Sequence, residues 1–373
     1  MTQTANRALA APAADVIRDF QGPSSLMEIV LAAFALLLAT VIGFAVHRAS
    51  LCNVRAVAEL LSTKQAHMLG SFFKTVLWVI VVTYLIELLL QTGSPKPVQL
   101  WGLSMSALVG GFVFGVGAAV NGGCALGTLG RLGNGELRML LTLFGLVVGL
   151  ASAGSAQLKR WLPSPHSVDL ADSTYPTLAV IVPVTIALWA LWEMGRLWRN
   201  RGIGLTWRQL VQSERYRLST AALLLGISNG IIYFLFGPWS YTRTAKIAVN
   251  HVVMGRPGPE ILFWFLFSAL LGGVLLSSLT RRSFVLDWRP QIDWLRNLLG
   301  GVLMGIGVAL TPGGNDVLIL HTIPSGSPHA LPAYAALLVG TAGGLMVIRM
   351  LGGAVTKVVC TGDVCRIGTA PKK

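Results

Sequence analysis

Two cysteines stand in the most apolar part of this chain, each just after a long hydrophobic run. Cys52 lies in GFAVHRASLCNVRA (43–56) and Cys124 in NGGCALGTLGRLGNG (121–135). A lone thiol in such a chain is usually a small packing residue. Two thiols in segments broken by glycine and charge ask for a different account. Sulfur is soft and polarizable, and S–H is a weak hydrogen-bond donor. The solute that matches it is an anion with a terminal sulfur atom, whose charge would be favoured by helix N-termini and exposed backbone N–H groups. The same surroundings favour a thiolate, which repels an anion, so this chemistry needs the neutral thiol. The spacing is equally compatible with a Cys52–Cys124 disulfide. No CxxC or HxxxH pair occurs in this part of the chain. The four ligands of a zinc site cannot be assembled from it, so neither metal nor cofactor is expected.

Other polar residues share these broken segments. Asn121 and Gly123 flank Cys124, and Arg55 follows Cys52 by three positions. In TPGGNDVLILHTIPSGSPHA (311–330), Gly314, Asn315 and Asp316 occupy the equivalent turn. An acid at membrane depth is a functional candidate, although a helix cap is an equal use for it. Arg55 and Arg243 could draw an anion inward or serve only to set topology. His321 and His329 read equally as satisfied polar residues and as proton carriers.

The elements that must position these groups are membrane helices. The chain has 373 residues, of which 54% are hydrophobic and 12% charged, about half the charged share of a soluble domain. Residues 26–46, 68–91, 103–120, 136–155, 177–198, 218–236, 259–280, 296–310 and 331–352 are apolar over roughly the length that crosses a bilayer. Helices are the default there, because lipid offers backbone groups no partner. About nine spans are expected, in an all-α integral membrane fold. The formal charge of +14 does not indicate nucleic acid. Its arginines crowd two connections, Arg196–Arg217 and Arg281–Arg296, where they set topology. Both connections should be cytoplasmic, with the acidic SVDLADSTYP (167–176) on the other side, the N-terminus periplasmic and the C-terminus cytoplasmic.

The halves of the chain resemble each other. LVGGFVFGVGAAVNGG (108–123) aligns with LLGGVLMGIGVALTPGG (298–314), with Gly110, Gly111, Gly115, Gly117 and Gly123 falling on Gly300, Gly301, Gly305, Gly307 and Gly313. A weaker match puts Arg55 on Arg243 and Cys52 on Ser240. A single span between the halves inverts the second, the plan of many secondary transporters. The expected division is a polar tail (1–25), a first repeat (26–155), a connector with one span (156–217), a second, inverted repeat (218–352) and a cytoplasmic tail (353–373). Four short segments, 50–63, 122–134, 240–254 and 313–326, read as re-entrant half-helices, two entering from each face and meeting near the midplane. In the tail, CTGDVCRIG (360–368) carries two further thiols on the reducing side. A permanent disulfide is not expected there, a transient or sulfur-accepting role stays open, and the simpler expectation is a tail without a role.

GFAVHRASLCNVRA, GGFVFGVGAAVNGGCALGTLGRLGNG and GVALTPGGNDVLILHTIPSGSPHALPAYAALLVG resemble the YeeE/YedE family of inner-membrane sulfur transporters, including its SoxT-like members. The resemblance covers about residues 26–355. It implies an hourglass-like protein whose short helices meet at a constriction. It also implies uptake of thiosulfate or a related sulfur anion, passed between cysteines by S–H···S hydrogen bonds, and a soluble cytoplasmic sulfur-carrier protein as partner. By position, Cys52 and Cys124 match the cysteines of the family's first two motifs. The third motif reads Gly-Cys-Asn in the family and Gly313-Gly314-Asn315 here, so one thiol of the relay is missing. The substrate-binding set is therefore Cys52, Cys124, Gly123, Asn121, Arg55, Ser240, Gly314, Asn315 and Asp316. The chain reads as a transporter and not an enzyme; the alternatives are a sensor of a sulfur species or a membrane sulfur-transfer enzyme working through Cys360 and Cys365. No Walker-type GxxxxGK[ST] run occurs.

Overall fold

The computed structural model describes residues 24–90, 99–153, 166–167, 176–199, 213, 215–288, 293–353 and 357–368. Most of the polar N-terminal tail and of the acidic 167–176 segment, together with Arg201 and Arg208, lies outside the described residues. Each of the nine apolar runs carries a helix: α1 (Ser24–Ala49), α3 (His67–Leu90), α4 (Met105–Asn121), α6 (Met139–Ala153), α7 (Pro176–Arg199), α8 (Leu218–Phe236), α10 (Ile261–Thr280), α11 (Asp293–Leu310) and α13 (Ala330–Met350). Among the described residues, six helices are long and apolar enough to cross a membrane, or seven if the bent pair formed by α11 and the segment after it counts as one span. The outside is apolar where a soluble protein would be polar: Phe73, Phe144 and Val339 are each at least 60% exposed. Such a surface is matched by lipid, and the chain is a multi-pass membrane protein.

Four short helices follow α1, α4, α8 and α11. They are α2 (Asn53–Thr63), α5 (Ala125–Gly133), α9 (Tyr241–Met254) and α12 (Asn315–Val317), the last running on as a π-helical turn, Leu318–Thr322. The breaks before them are local in origin. Ser50, Gly122 and Gly237 have φ of 54°, 72° and 83°, and Pro312-Gly313 follows α11. A left-handed residue closes a helix by letting the next N–H groups turn back to its last carbonyls. After α4, Gly122 N–H donates to Ala119 O and Gly123 N–H to Ala118 O.

The packing of the two halves is symmetric. α4 crosses α11, and α1 lies along α8. α4 also packs on α13 as α11 packs on α6, and α1 packs on α10 as α8 packs on α3. Exchanging the halves maps this set of contacts onto itself. The crossing of α4 and α11 runs antiparallel, since Gly110 faces Thr311 whereas Gly117 faces Gly300 and Met304. Glycine is required there by proximity. A Cβ on Gly117 would lie 2.7 Å from Met304 N, and one on Gly300 would lie 2.7 Å from Asn121 N. The small-residue pairs divide the same way: Gly111 and Gly115 meet α13 backbone at Ala333 and Leu337, while Gly301 and Gly305 meet α6 backbone at Thr142 and Leu146.

The tail differs from the expectation of an all-helical chain without structure at its end. Residues Lys357–Thr361 (β1) and Val364–Gly368 (β2) pair as an antiparallel hairpin. The β-branched residues Val358, Val359 and Thr361 of β1 and Val364 and Ile367 of β2, on either side of a Gly-Asp turn, suit a hairpin.

Candidate functional site

The residues that begin the four half-helices are Cys52, Cys124, Ser240 and Gly314, and all four are extended N-caps. The alignments that put Cys52 on Ser240 and Cys124 on Gly314 thus match positions of equal geometry. Segments 72 residues apart meet at the two thiols. Asn53 N–H donates to Cys124 Sγ at 3.3 Å, and Cys124 N–H donates to Cys52 Sγ at 3.4 Å. Both cysteines are free and 1% and 0% exposed, so the disulfide left open by the spacing is not formed. Each sulfur accepts from the other segment's backbone, and the two thiols are also side-chain hydrogen-bond partners of each other. Gly127 permits this approach: a Cβ there would sit 2.6 Å from Cys52 Sγ.

The rest of the glycine-rich loop holds Cys124 in position. Asn121 is buried and its side chain is fully engaged, donating to Gly123 O and Thr128 Oγ1 and accepting from Thr142 Oγ1 and Asn297 Nδ2. Arg131 bonds Asn121 O at 3.0 Å and Glu136 at 2.7 Å. Burial pushes the Glu136 carboxyl up, but the hydrogen bonds from Arg131 and Arg138 outweigh it and hold the group below its ordinary value. This clamp is therefore intact above the usual carboxylate range and is lost only as pH falls through the lowered value. Asn121 and Gly123 shape the loop from inside the protein.

The second half answers the thiols with a different group. Asp316 accepts from Thr242 N–H at 3.2 Å and from the Thr242 hydroxyl. It thereby caps α9, a neighbouring helix, and puts a carboxylate where the first half has sulfur. Ser240 Oγ accepts from Arg243 N–H in the same cap. A Cβ on Gly314 would lie 2.7 Å from Asp316 Oδ1 and 2.8 Å from Thr242 Oγ1. The third thiol is thus excluded by its neighbours. Gly314→Cys is expected to lower the thermal midpoint in detergent by overpacking worth about 1–3 kcal/mol. Adding Thr242→Ala should recover most of the loss; no recovery would mean that Thr242 is not the obstacle.

Two groups that the sequence did not single out share this region, with Asn315 as a third. Asn53, Tyr241 and Asn315 are the first residues of α2, α9 and α12. Asn53 Nδ2, Tyr241 Oη and both amide atoms of Asn315 are buried with no hydrogen-bond partner among the described residues. A buried polar atom left unpaired costs about 1–3 kcal/mol, so polar atoms in this position invite a polar occupant. Tyr334 Oη donates to Asn53 Oδ1 at 3.2 Å, fixing that amide's orientation. The available signal was positional: each of the three follows a cap residue directly. His321 and His329 are bonded to the loop carbonyls of Trp239 and Trp101, while His321 Nδ1 and His329 Nε2 are buried with no partner among the described residues.

Beyond the thiols, Leu51, Leu126 and Gly127 border a vestibule of about 190 Å³ that also meets His47, Arg55, Arg215 and Arg281. Arg55 itself bonds Ser50 O at 3.2 Å. Arg243, its counterpart, starts α9 on the far side.

Residues 48–343 match the family model described as sulphur transport. A thiosulfate transporter, TsuA, of Spirochaeta thermophila is 26% identical over 312 residues, covering 76% of this chain and 88% of the relative. TsuA of Escherichia coli is 24% identical over 311 residues, covering 76% and 86%.

Proposed function

The chain belongs to the sulphur transport family, the YeeE/YedE membrane transporters, and from that premise we propose that it carries thiosulfate or a closely related sulfur anion inward through the half-helix junction. The observation that carries this reading is the pair of free, buried thiols that start two half-helices and meet each other, each sulfur also accepting a backbone N–H of the other segment. The terminal sulfur of thiosulfate accepts weak S–H donors. Its oxygens suit Asn53 Nδ2, Asn315 Nδ2 and the Tyr241 hydroxyl, three buried donors at the half-helix starts with no hydrogen-bond partner among the described residues. Neutral donors fit the balance a carrier needs, because a fully paired charge would hold the anion too tightly to release it.

The order of passage follows from charge. The anion enters from the periplasmic face of the inner membrane and meets the Asn315–Tyr241 side first. There Asp316 opposes strong retention. It then passes Cys124 and Cys52 and leaves through the vestibule with Arg55, Arg215 and Arg281. Arginines at that mouth support a cytoplasmic exit, where a soluble sulfur-carrier protein would receive the cargo. A sulfur relay of two thiols and no third distinguishes this chain from the pattern of its family.

The test is uptake of radiolabelled thiosulfate by cells lacking their own importers. Expression should raise the initial rate well above the empty-vector control, and an excess of unlabelled thiosulfate should compete where sulfate does not. A protein that reaches the membrane and gives no uptake would overturn the thiosulfate assignment.

A further inference from the structure

Two more cysteines lie outside the constriction. Cys360 and Cys365 are register partners across β1 and β2 and are joined by a disulfide. The hairpin turns at Gly362 and Asp363, with Gly362 at φ 61°, as a two-residue turn with glycine first requires. An isolated two-stranded hairpin of this length is marginal in water, so the cross-link is a substantial part of what keeps it formed.

This hairpin is fastened to the transport elements at three points. β1 packs on α2, the half-helix that begins at Cys52. A carboxylate oxygen of Glu59 in α2 and the two sulfurs lie within 4.8 Å of one another, while Glu59 also accepts from His67 N–H and Met68 N–H at the start of α3. Asp363 caps α8, accepting Leu218 N–H at its carbonyl and Ser219 N–H at its carboxylate; the helix's own cap residue, Arg217, makes no side-chain cap. Arg215, which lines the vestibule, donates to Cys365 O at 3.0 Å.

The passage in this state is shut, since both site thiols are buried and Cys52 is packed against Gly127. An anion can pass Cys52 only if the start of α2 moves relative to α5. A rigid hairpin on α2, α8 and Arg215 opposes that motion.

We propose that Cys360 and Cys365 form a reversible dithiol–disulfide site that controls the passage: the disulfide holds the hairpin docked and α2 closed, and reduction frees α2 to move. The proposal rests on the transport reading and on this face being cytoplasmic, where a disulfide is a transient, regulatory bond. In closing, one protein thiolate attacks a low-molecular-weight disulfide and expels one thiol. The second protein thiol then displaces the other. One S–S bond is broken and one formed, and two electrons and two protons pass from the protein to the small molecule. Opening is the reverse, with a small thiol as reductant.

The full chain in lipid vesicles, poised with reduced or oxidised dithiothreitol, provides the test. The first readout is thiosulfate influx. The second, taken after removal of the reagent, is the labelling rate of Cys52 and Cys124 by a small methanethiosulfonate. Both should be about fivefold or more faster in the reduced protein, the low end of usual coupling between sites. A Cys360→Ser, Cys365→Ser double variant should be fast in either condition. Equal rates in the two states of the unmodified protein would sink the proposal, as would a double variant that keeps the full response, which would assign it to Cys52 and Cys124. Alkylation trapping from growing cells adds a third check: a pair found wholly as disulfide under every growth condition is a staple and not a switch. If thiosulfate does not cross at all, the transport reading fails, and the labelling rates still decide the hairpin's role.

Discussion

Thiosulfate uptake by Cys124→Ala protein is expected to fall by about 100-fold or more, equivalent to at least about 2.7 kcal/mol at the barrier. The substitution removes one of the two paired thiols from the proposed passage. It also removes the acceptor of Asn53 N–H, so the first turn of α2 loses a partner at the point where the anion must pass. Alanine fits the space, because Cys124 is buried beside glycines and the change only removes an atom. Folding should therefore survive with membrane levels near those of the unmodified protein, and the thermal midpoint should fall modestly because the buried Asn53 N–H loses its acceptor. Cys124→Ser separates the two contributions: a hydroxyl keeps an acceptor and a donor of similar size but is harder than sulfur. Uptake by the serine variant should remain well below that of the unmodified protein for thiosulfate. An alanine variant that transports at the full rate would remove Cys124 from the path altogether.

The second large effect concerns a residue with no chemistry of its own. Gly127→Ala is expected to reduce uptake at least about tenfold, a change of about 1.4 kcal/mol, while costing modest stability. Its methyl group would occupy a point 2.6 Å from Cys52 Sγ and 3.3 Å from Cys52 Cβ. Helical propensity favours alanine by up to about 1 kcal/mol, so the fold gains locally while the thiol is displaced. Misplacement of a reacting or binding group by about 1 Å is costly even when every group is present. The discriminating readout is the labelling rate of Cys52 against that of Cys124. A shift confined to Cys52 identifies displacement of that thiol, whereas equal rates at both with unchanged uptake would show that Gly127 is ordinary helix packing.

Much of this was legible in the one-dimensional pattern. Apolar runs of bilayer length gave the helices, since no other backbone arrangement satisfies itself in lipid. Gly122, Gly237 and Pro312-Gly313 marked three of the four breaks, because chain reversal is a local event governed by φ and by missing N–H groups. The break at Ser50 carried no such mark, as serine is not a residue that favours the left-handed conformation it takes there. The glycine repeat announced the crossing of α4 and α11, for only residues without a side chain allow that approach.

Asp316 shows where such reading stops. Its type and depth suggested either a substrate group or the cap of a half-helix. It does cap one, α9, but through a threonine 74 residues away, a partner that no local pattern names. Asn121 likewise looked exposed to the passage, beside Cys124, but its amide is engaged by Thr142 and Asn297 from two other helices. For the tail's two cysteines the sequence leaves a transient role open beside none at all, because a spacing of five residues does not announce a cross-strand pair until the hairpin register is known.

By itself, then, the amino-acid sequence determined a membrane chain with an internal glycine repeat and short broken segments, with Cys52 and Cys124 at or near the start of two of them, because hydrophobic length, chain reversal and small-residue spacing are properties of contiguous residues. Only the tertiary structure decided which cap faces which. It set sulfur against backbone N–H in one half and a carboxylate against threonine in the other, and it docked the hairpin on α2. These are distances between segments tens to hundreds of residues apart, and they follow from how whole helices pack, which no local pattern encodes.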